Sequence, residues 1–206
     1  MSEDKKIESE KNINLAEDLE EEKTFLGKAS LFFLELIKLV VMAGITIILV
    51  RYFLFKPFYV KGQSMEPAFY ERDYLIIDEI SYRFRDPDRG EVIVFESPVS
   101  EDHYLKRIIG LPGERVKISD NKIIIYNDEY PQGVVVEEVY LDENTPGTEV
   151  TTLGEDQYFV MGDNRDASYD SRRFGPIDKN SIVGRVWLRG WPISRVSTFG
   201  VPNYNI

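Results

Sequence analysis

The 206-residue chain contains no cysteine and a single histidine, His103. The missing cysteine excludes disulfides, thiolate metal sites and a cysteine nucleophile, and it is compatible with either an oxidising or a reducing compartment. One histidine excludes zinc sites built on several imidazoles. Positive charge is also scarce: 25 Lys and Arg stand against 36 Asp and Glu, a formal charge of -11, which argues against nucleic acid as a partner. No internal repeat or low-complexity tract is visible, and beyond Pro57 almost no 3.6-residue periodicity. What remains is 43% apolar and 13% aromatic, enough for one packed domain of roughly 150 residues with an appendage.

The charge is uneven. Residues 1–24 hold nine acids against four lysines and read as a solvated, flexible or loosely helical tail. From Leu31 to Phe55 the sequence becomes LFFLELIKLVVMAGITIILVRYFLF, long enough as a helix to cross a bilayer. Glu35, Lys38 and Arg51 interrupt it. Glu35 and Lys38 stand at i, i+3, where they can pair near one interface, and Arg51 can snorkel at the other. A spanning helix is expected rather than one lying flat on a membrane. A cleaved leader fits poorly, because the apolar run starts late, follows an acidic segment and is not followed by small residues. The flanks 11–30 and 51–70 each carry three Lys or Arg, so charge alone leaves the orientation open.

The rest reads as short strands separated by turns: Tyr74 to Ile80, Glu91 to Phe95, Tyr104 to Ile109, Arg115 to Ser119, Lys122 to Asn127, Val134 to Leu141, Gln157 to Met161 and Ile182 to Leu188. Asp120-Asn121 is expected to make a tight hairpin turn. Residues 142–147 read as an exposed acidic loop, and Trp191-Pro192 as the start of an irregular carboxyl tail.

Three places carry candidate chemistry. Ser64 lies in Gly62-Gln63-Ser64-Met65-Glu66-Pro67, a turn after the apolar run. Lys106 is the lysine of the apolar segment Tyr104-Leu105-Lys106-Arg107-Ile108-Ile109. On a strand it shares a face with Tyr104 and Ile108, while His103, Leu105, Arg107 and Ile109 take the other, so His103 is not expected at a site with Lys106. Apolar walls would draw the pKa of such a lysine down from about 10.4 toward 7, leaving an amine able to accept a proton from a serine hydroxyl. The plainer alternative is an edge-strand charge and a loop serine. The third place is Gly162-Asp163-Asn164-Arg165-Asp166-Ala167-Ser168-Tyr169-Asp170-Ser171-Arg172. As a calcium loop it fails, since positions 3, 5 and 6 would be Arg165, Ala167 and Ser168. Alternating acids and arginines suggest an internally paired loop, with Asp170 near Arg172 and Asp163 meeting Arg107.

Over about residues 31–195 the chain resembles the type I signal peptidases, membrane-bound Ser-Lys serine endopeptidases. An apolar helix precedes GQSMEP with Ser64, RDYLIID at 72–78, YLKRIIGLPGE at 104–114 with Lys106, and GDNRDASYDSR at 162–172. The resemblance implies Ser64 as nucleophile, its amide as an oxyanion donor, Lys106 as general base and then acid, and Ser168 as the hydroxyl that orients Lys106. Asp163, Arg107, Asp170 and Arg172 would brace the site. Phe58, Val60, Met65, Phe69, Tyr104 and Leu105 would line shallow pockets for the small residues at -1 and -3 of a signal peptide. The sequence departs from the family in three places. Ala68-Phe69 stands where Thr-Leu is frequent, and the larger Phe69 ring is expected to narrow the -1 pocket. Gly62 stands where some members carry a second, serine oxyanion donor. Ala167 replaces a frequent asparagine.

The fold so implied is mostly β: a single amino-terminal transmembrane helix, then an antiparallel, barrel-like catalytic domain resting an apolar surface on the membrane. Its parts would be an acidic tail (1–30), the helix (31–55) and the peptidase domain (56–206). Tyr52, Phe53, Phe55, Phe58 and Tyr59 would form an aromatic belt near the helix end, with Ser64 close to the bilayer. Partners would be signal-peptide-bearing preproteins and the lipid bilayer of the cell membrane, with the catalytic domain outside the cytoplasm and no cofactor, metal or nucleic acid. Two rivals differ in what they need. A self-cleaving repressor has a related Ser-Lys β fold but a DNA-binding helix pair in place of the apolar helix. A non-enzymatic, tethered β module would leave Lys106 solvated, with an ordinary pKa.

Overall fold

The computed structural model describes residues 30–48, 55–141, 144–202 and 204–206. Its contacts divide the chain into Met1–Val50 and Arg51–Ile206. In the first unit, helix α1 covers Ser30–Ile48, and none of its apolar window is buried. With Leu, Ile, Val and Phe exposed on all sides, α1 satisfies its backbone internally. It is long and apolar enough to cross a membrane. The acidic tail through residue 29, and Arg51, Tyr52 and Phe53, lie outside the described residues. Phe55, expected to end the helix, instead begins a strand.

The second unit is antiparallel β, as expected. Its larger sheet runs β1 (Phe55–Tyr59), β2 (Tyr74–Asp78), β11 (Ile182–Trp191), β3 (Val92–Glu96), β4 (His103–Gly110), β9 (Gln157–Met161) and β10 (Ile177–Asp178), with β12 (Ser197–Thr198) also pairing β11. Its smaller sheet runs β7 (Val134–Val135), β6 (Lys122–Tyr126), β5 (Arg115–Ser119) and β8 (Glu149–Thr152). Pro57 had hidden β1 in the sequence. The strand tolerates it because β1 is at the edge, where a missing amide leaves no neighbour unpaired. Asp120 and Asn121 both adopt positive φ, 53° and 60°, and close a two-residue hairpin between Ser119 and Lys122.

Val134 to Leu141 was expected as a full strand, and only Val134–Val135 pair as one. Beyond Val136, Glu138 and Tyr140 turn to a buried arginine, Arg165, and to Arg107. Glu138 binds both terminal nitrogens of Arg165, and the Tyr140 ring lies 4.2 Å from the Arg107 guanidinium carbon. Polar side chains with buried partners thus take the segment out of the ladder.

Among the described residues the core has three clusters. Val60, Met65, Phe69, Leu75, Ile77 and Leu105 form one, next to the Ser64 turn. Ile93, Phe95, Ile108 and Val160 form a second between strands of the larger sheet. Ile109, Phe159 and Met161 of the larger sheet join Val116, Ile118, Ile123 and Ile125 of the smaller in the third. β4 feeds all three with Leu105, Ile108 and Ile109, so it is fixed on both faces. This anchors the strand that carries Lys106.

Candidate active site

Ser64 sits on a loop whose neck is closed by two backbone bonds, Val60 N to Asp73 O and Arg72 N to Val60 O, each 3.0 Å. Asp73 is fully buried, and its carboxylate accepts from Tyr70 N, Arg189 and Arg195. A closed neck with a twice-paired carboxylate behind it limits how far the turn can move. Met65 and Phe69 anchor the loop from within, in one core cluster.

Lys106 projects from β4 to this turn. Its Nζ donates to Ser64 Oγ at 2.7 Å and to Leu105 O at 3.1 Å, and it lies 5.6 Å from the Tyr104 ring centroid. The residue is 4% exposed. Burial pulls its pKa from 10.5 down to about 8, with Asp170 and Asp163 pulling the other way and Arg172 adding to the lowering. The plainer alternative of a solvated edge lysine is therefore not what the structure holds.

A cleft of about 260 Å³ opens over the pair, walled by Phe58, Val60, Met65, Tyr104 and Leu105 and edged by Gly62, Gln63, Ala167 and Tyr169. His103 also lines it, although strand parity had placed it away from Lys106. The reason lies in the register. β3 pairs β4 from His103 to Arg107, whereas β9 begins to pair at Arg107, so residues 103–106 have a strand neighbour on one side only and the cleft runs along their free edge. Residues of both faces border an edge.

Two expected positions differ. Phe69 does not line the cleft: it is fully buried and packs against Phe199, with ring centroids 4.4 Å apart. The narrowing expected from its ring therefore has no direct basis, and Val60, Met65 and Leu105 form the walls instead. Phe58 lines the cleft and is partly buried against the first core cluster, while Tyr59 is exposed beside Tyr74.

Ser168 makes no hydrogen bond to Lys106, whose amine is engaged by Ser64 and Leu105. Among the described residues Ser168 Oγ is buried without a hydrogen-bond partner; it helps hold the Asp170 carboxyl down by proximity, short of a formed bond. Gly162 explains the crowding. A β-carbon there would collide with both Ser168 Oγ and the Ser64 carbonyl oxygen, so glycine alone lets the 162–168 turn close on the Ser64 backbone. Asn164 N then donates to Ser64 O at 3.1 Å.

The charged residues pair around this turn. Arg107 grips both oxygens of Asp163 at 2.8 and 2.6 Å. Asp170 accepts from Arg172 Nε and Nη2, both at 2.8 Å, and from Gly162 N at 3.1 Å. Burial pushes the Asp170 carboxyl up, but these donors outweigh it and hold it below the usual range. It also caps α2 (Ser171–Phe174) through Arg172 N. Arg165 bonds the Gly162 carbonyl and is held by Glu138 and Thr145. The supporting roles of Gly162, Arg165, Glu138 and Asp73 were not found by sequence reasoning. Arg165 had a signal, its place among alternating charges; Glu138 had none.

A family model described as "Signal peptidase, peptidase S26" matches residues 33–191. The chain belongs to the signal peptidase family. Within it, the chain is 40% identical over 171 residues to a probable signal peptidase I-2 of Synechocystis sp., covering 79% of this chain and 75% of that one. A signal peptidase I of Bacillus licheniformis is 34% identical over 188 residues, 85% of this chain and 97% of the relative. A solved signal peptidase I from Enterococcus faecalis is 34% identical and covers 49% of this chain and 97% of that one, with a TM-score of 0.43. The family makes this chain a signal peptidase I, a serine peptidase and so a hydrolase.

Proposed function

We propose that this signal peptidase is a single-pass, membrane-anchored endopeptidase that removes signal peptides from exported preproteins, with Ser64 as nucleophile and Lys106 as general base. The observation that carries the assignment is the 2.7 Å contact between Ser64 Oγ and a 4%-exposed lysine whose pKa lies near 8. Near that pH a sizeable fraction of Lys106 is neutral, and the contact then reverses, the hydroxyl donating to the amine. Ser64 Oγ attacks the scissile carbonyl carbon as its proton passes to Lys106 Nζ. The Ser64 amide donates to the oxyanion. Collapse breaks the C–N bond, the Lys106 ammonium protonates the leaving amine, and the signal peptide stays as an ester on Ser64. Water, deprotonated by Lys106, cleaves the ester, and the proton returns to Ser64.

The free edge of β4 at residues 103–106 lets the substrate enter as an added strand, its backbone paired and alternate side chains directed to the walls. A cleft walled by Val60, Met65 and Leu105 is shallow, so small residues at -1 and -3 fit best. Asp163, Arg107, Asp170 and Arg172 support the site, and Ser168 is the hydroxyl assigned to orient Lys106. The organisation is an acidic tail to residue 30, a spanning helix within 31–55 and a peptidase domain from 56, with the tail in the cytoplasm and the domain outside. The test is cleavage of a preprotein with an Ala-x-Ala site by the full chain in detergent. Ser64→Ala and Lys106→Ala should each lower kcat by at least about 10³-fold in folded protein. Cleavage by either variant at the wild-type rate would remove the assignment and favour a tethered β module.

A further inference from the structure

Residues 199–202 and 204–206 lie beyond the larger sheet and reach the smaller one. Asn205 donates to Val135 O at 2.8 Å and accepts from Glu137 N at 3.0 Å. Tyr204 donates to the Tyr140 hydroxyl oxygen at 3.2 Å, and Ile206 joins it on the core of the smaller sheet. The Tyr204 ring packs on Gly90, whose φ of +88° and missing side chain make room for it; a β-carbon there would collide with this ring and with Pro202 Cδ. The same contacts surround Arg107. Gly90 O accepts from Arg107 Nη1 at 2.8 Å, and Tyr140 stacks on the guanidinium. The strap thus holds two of the three groups that fix Arg107, the third being Asp163, and Arg107 is the residue after Lys106 on β4.

We propose that Tyr204 and Asn205 are positioning residues for the peptidase reaction: they clasp Gly90 and the 134–140 segment around Arg107, and so hold β4 where it presents Lys106 to Ser64. The inference rests on the Ser64–Lys106 assignment. The charges acting on Lys106 are Asp163, Asp170 and Arg172. A loosened Arg107 leaves Asp163 less neutralised and lets water reach the amine, and both effects favour the ammonium. Loss of the clasp should therefore move the ascending limb of the rate profile to higher pH, which a simple loss of folded protein would not do.

The experiment measures kcat and KM of the full chain in detergent from pH 6 to 10, with the thermal transition of each variant. Tyr204→Ala should lower kcat about tenfold at pH 8 with KM near wild type, and shift the limb upward. Tyr204→Phe, which keeps the ring on Gly90, should restore most of the rate. Asn205→Ala should show a smaller loss in the same direction, and it decides the matter if Tyr204→Ala does not fold. An unmoved limb, with activity lost only in proportion to unfolded protein, overturns the inference. If Ser64→Ala and Lys106→Ala still cleave, the assignment beneath it fails instead.

Discussion

Lys106 and Arg107 are consecutive on β4, both nearly buried at 4% and 6% exposure, and the two faces of the strand treat a buried cation in opposite ways. On the Arg107 face, Asp163 meets Nε and Nη2, Gly90 O takes Nη1 and Tyr140 covers the plane. On the Lys106 face the amine has a hydroxyl and one carbonyl, and among the described residues no carboxylate within ion-pair distance. A desolvated charge with a full set of partners stays charged and becomes structure. One left short of partners moves toward its neutral form, and that is what a base requires.

The comparison breaks first at Arg107. Arg107→Met leaves Asp163 buried alone and should lower unfolding free energy by about 3–5 kcal/mol in urea titrations. Adding Asp163→Leu should recover much of that loss; a cost near zero for Arg107→Met would mean that this face tolerates an unpaired charge.

Lys106→Met should have the opposite sign. The folded pKa of about 8 lies below the ordinary 10.5, so the unfolded chain binds the proton more tightly and charging Lys106 opposes folding. Relative to wild type, the methionine variant should be more stable by about 3 kcal/mol at pH 7. The advantage should shrink as pH rises from about 8 and vanish above about 10.5, where the lysine is neutral in both states. Paired thermal melts at pH 7 and 10 check this, and equal stabilities at both would show that burial costs the ammonium nothing.

The smallest effect is in the rate. kcat/KM of the wild type should rise with pH through an apparent pKa near 8. A limb near 10 would return Lys106 to water and erase the difference between the faces.

Much of this was readable in the chain. Short stretches of strand character bounded by turn residues pointed to β5 and β6, and Asp120-Asn121 to their turn, because both signals are local. The expected ends of Arg115–Ser119 and Gln157–Met161 match the strands. β1 and β8 were missed along with the two-residue β10 and β12, β1 because Pro57 reads as a breaker and β8 because Glu149-Val150-Thr151-Thr152 follows an acidic loop and pairs β5 across a long stretch of chain. The Arg107–Asp163 contact spans 56 residues of sequence, yet the complementary charges of its two segments pointed to it. Glu138 with Arg165 offered no such hint, since neither segment names its partner.

The sequence by itself determined that one helix would be apolar on every side, that strands would follow, and which serine and lysine had the chemistry to pair. These depend on side-chain type and short-range spacing. Tertiary structure alone decided that Ser64 and Lys106 lie 2.7 Å apart, that Phe69 belongs to the core and His103 to the cleft edge, that Gly162 is the gap through which the turn reaches Ser64, and that the strap at Tyr204 closes on Gly90. Distance, burial and pKa arise only when residues far apart in the chain exclude water from one another, and no local pattern encodes which of them will meet.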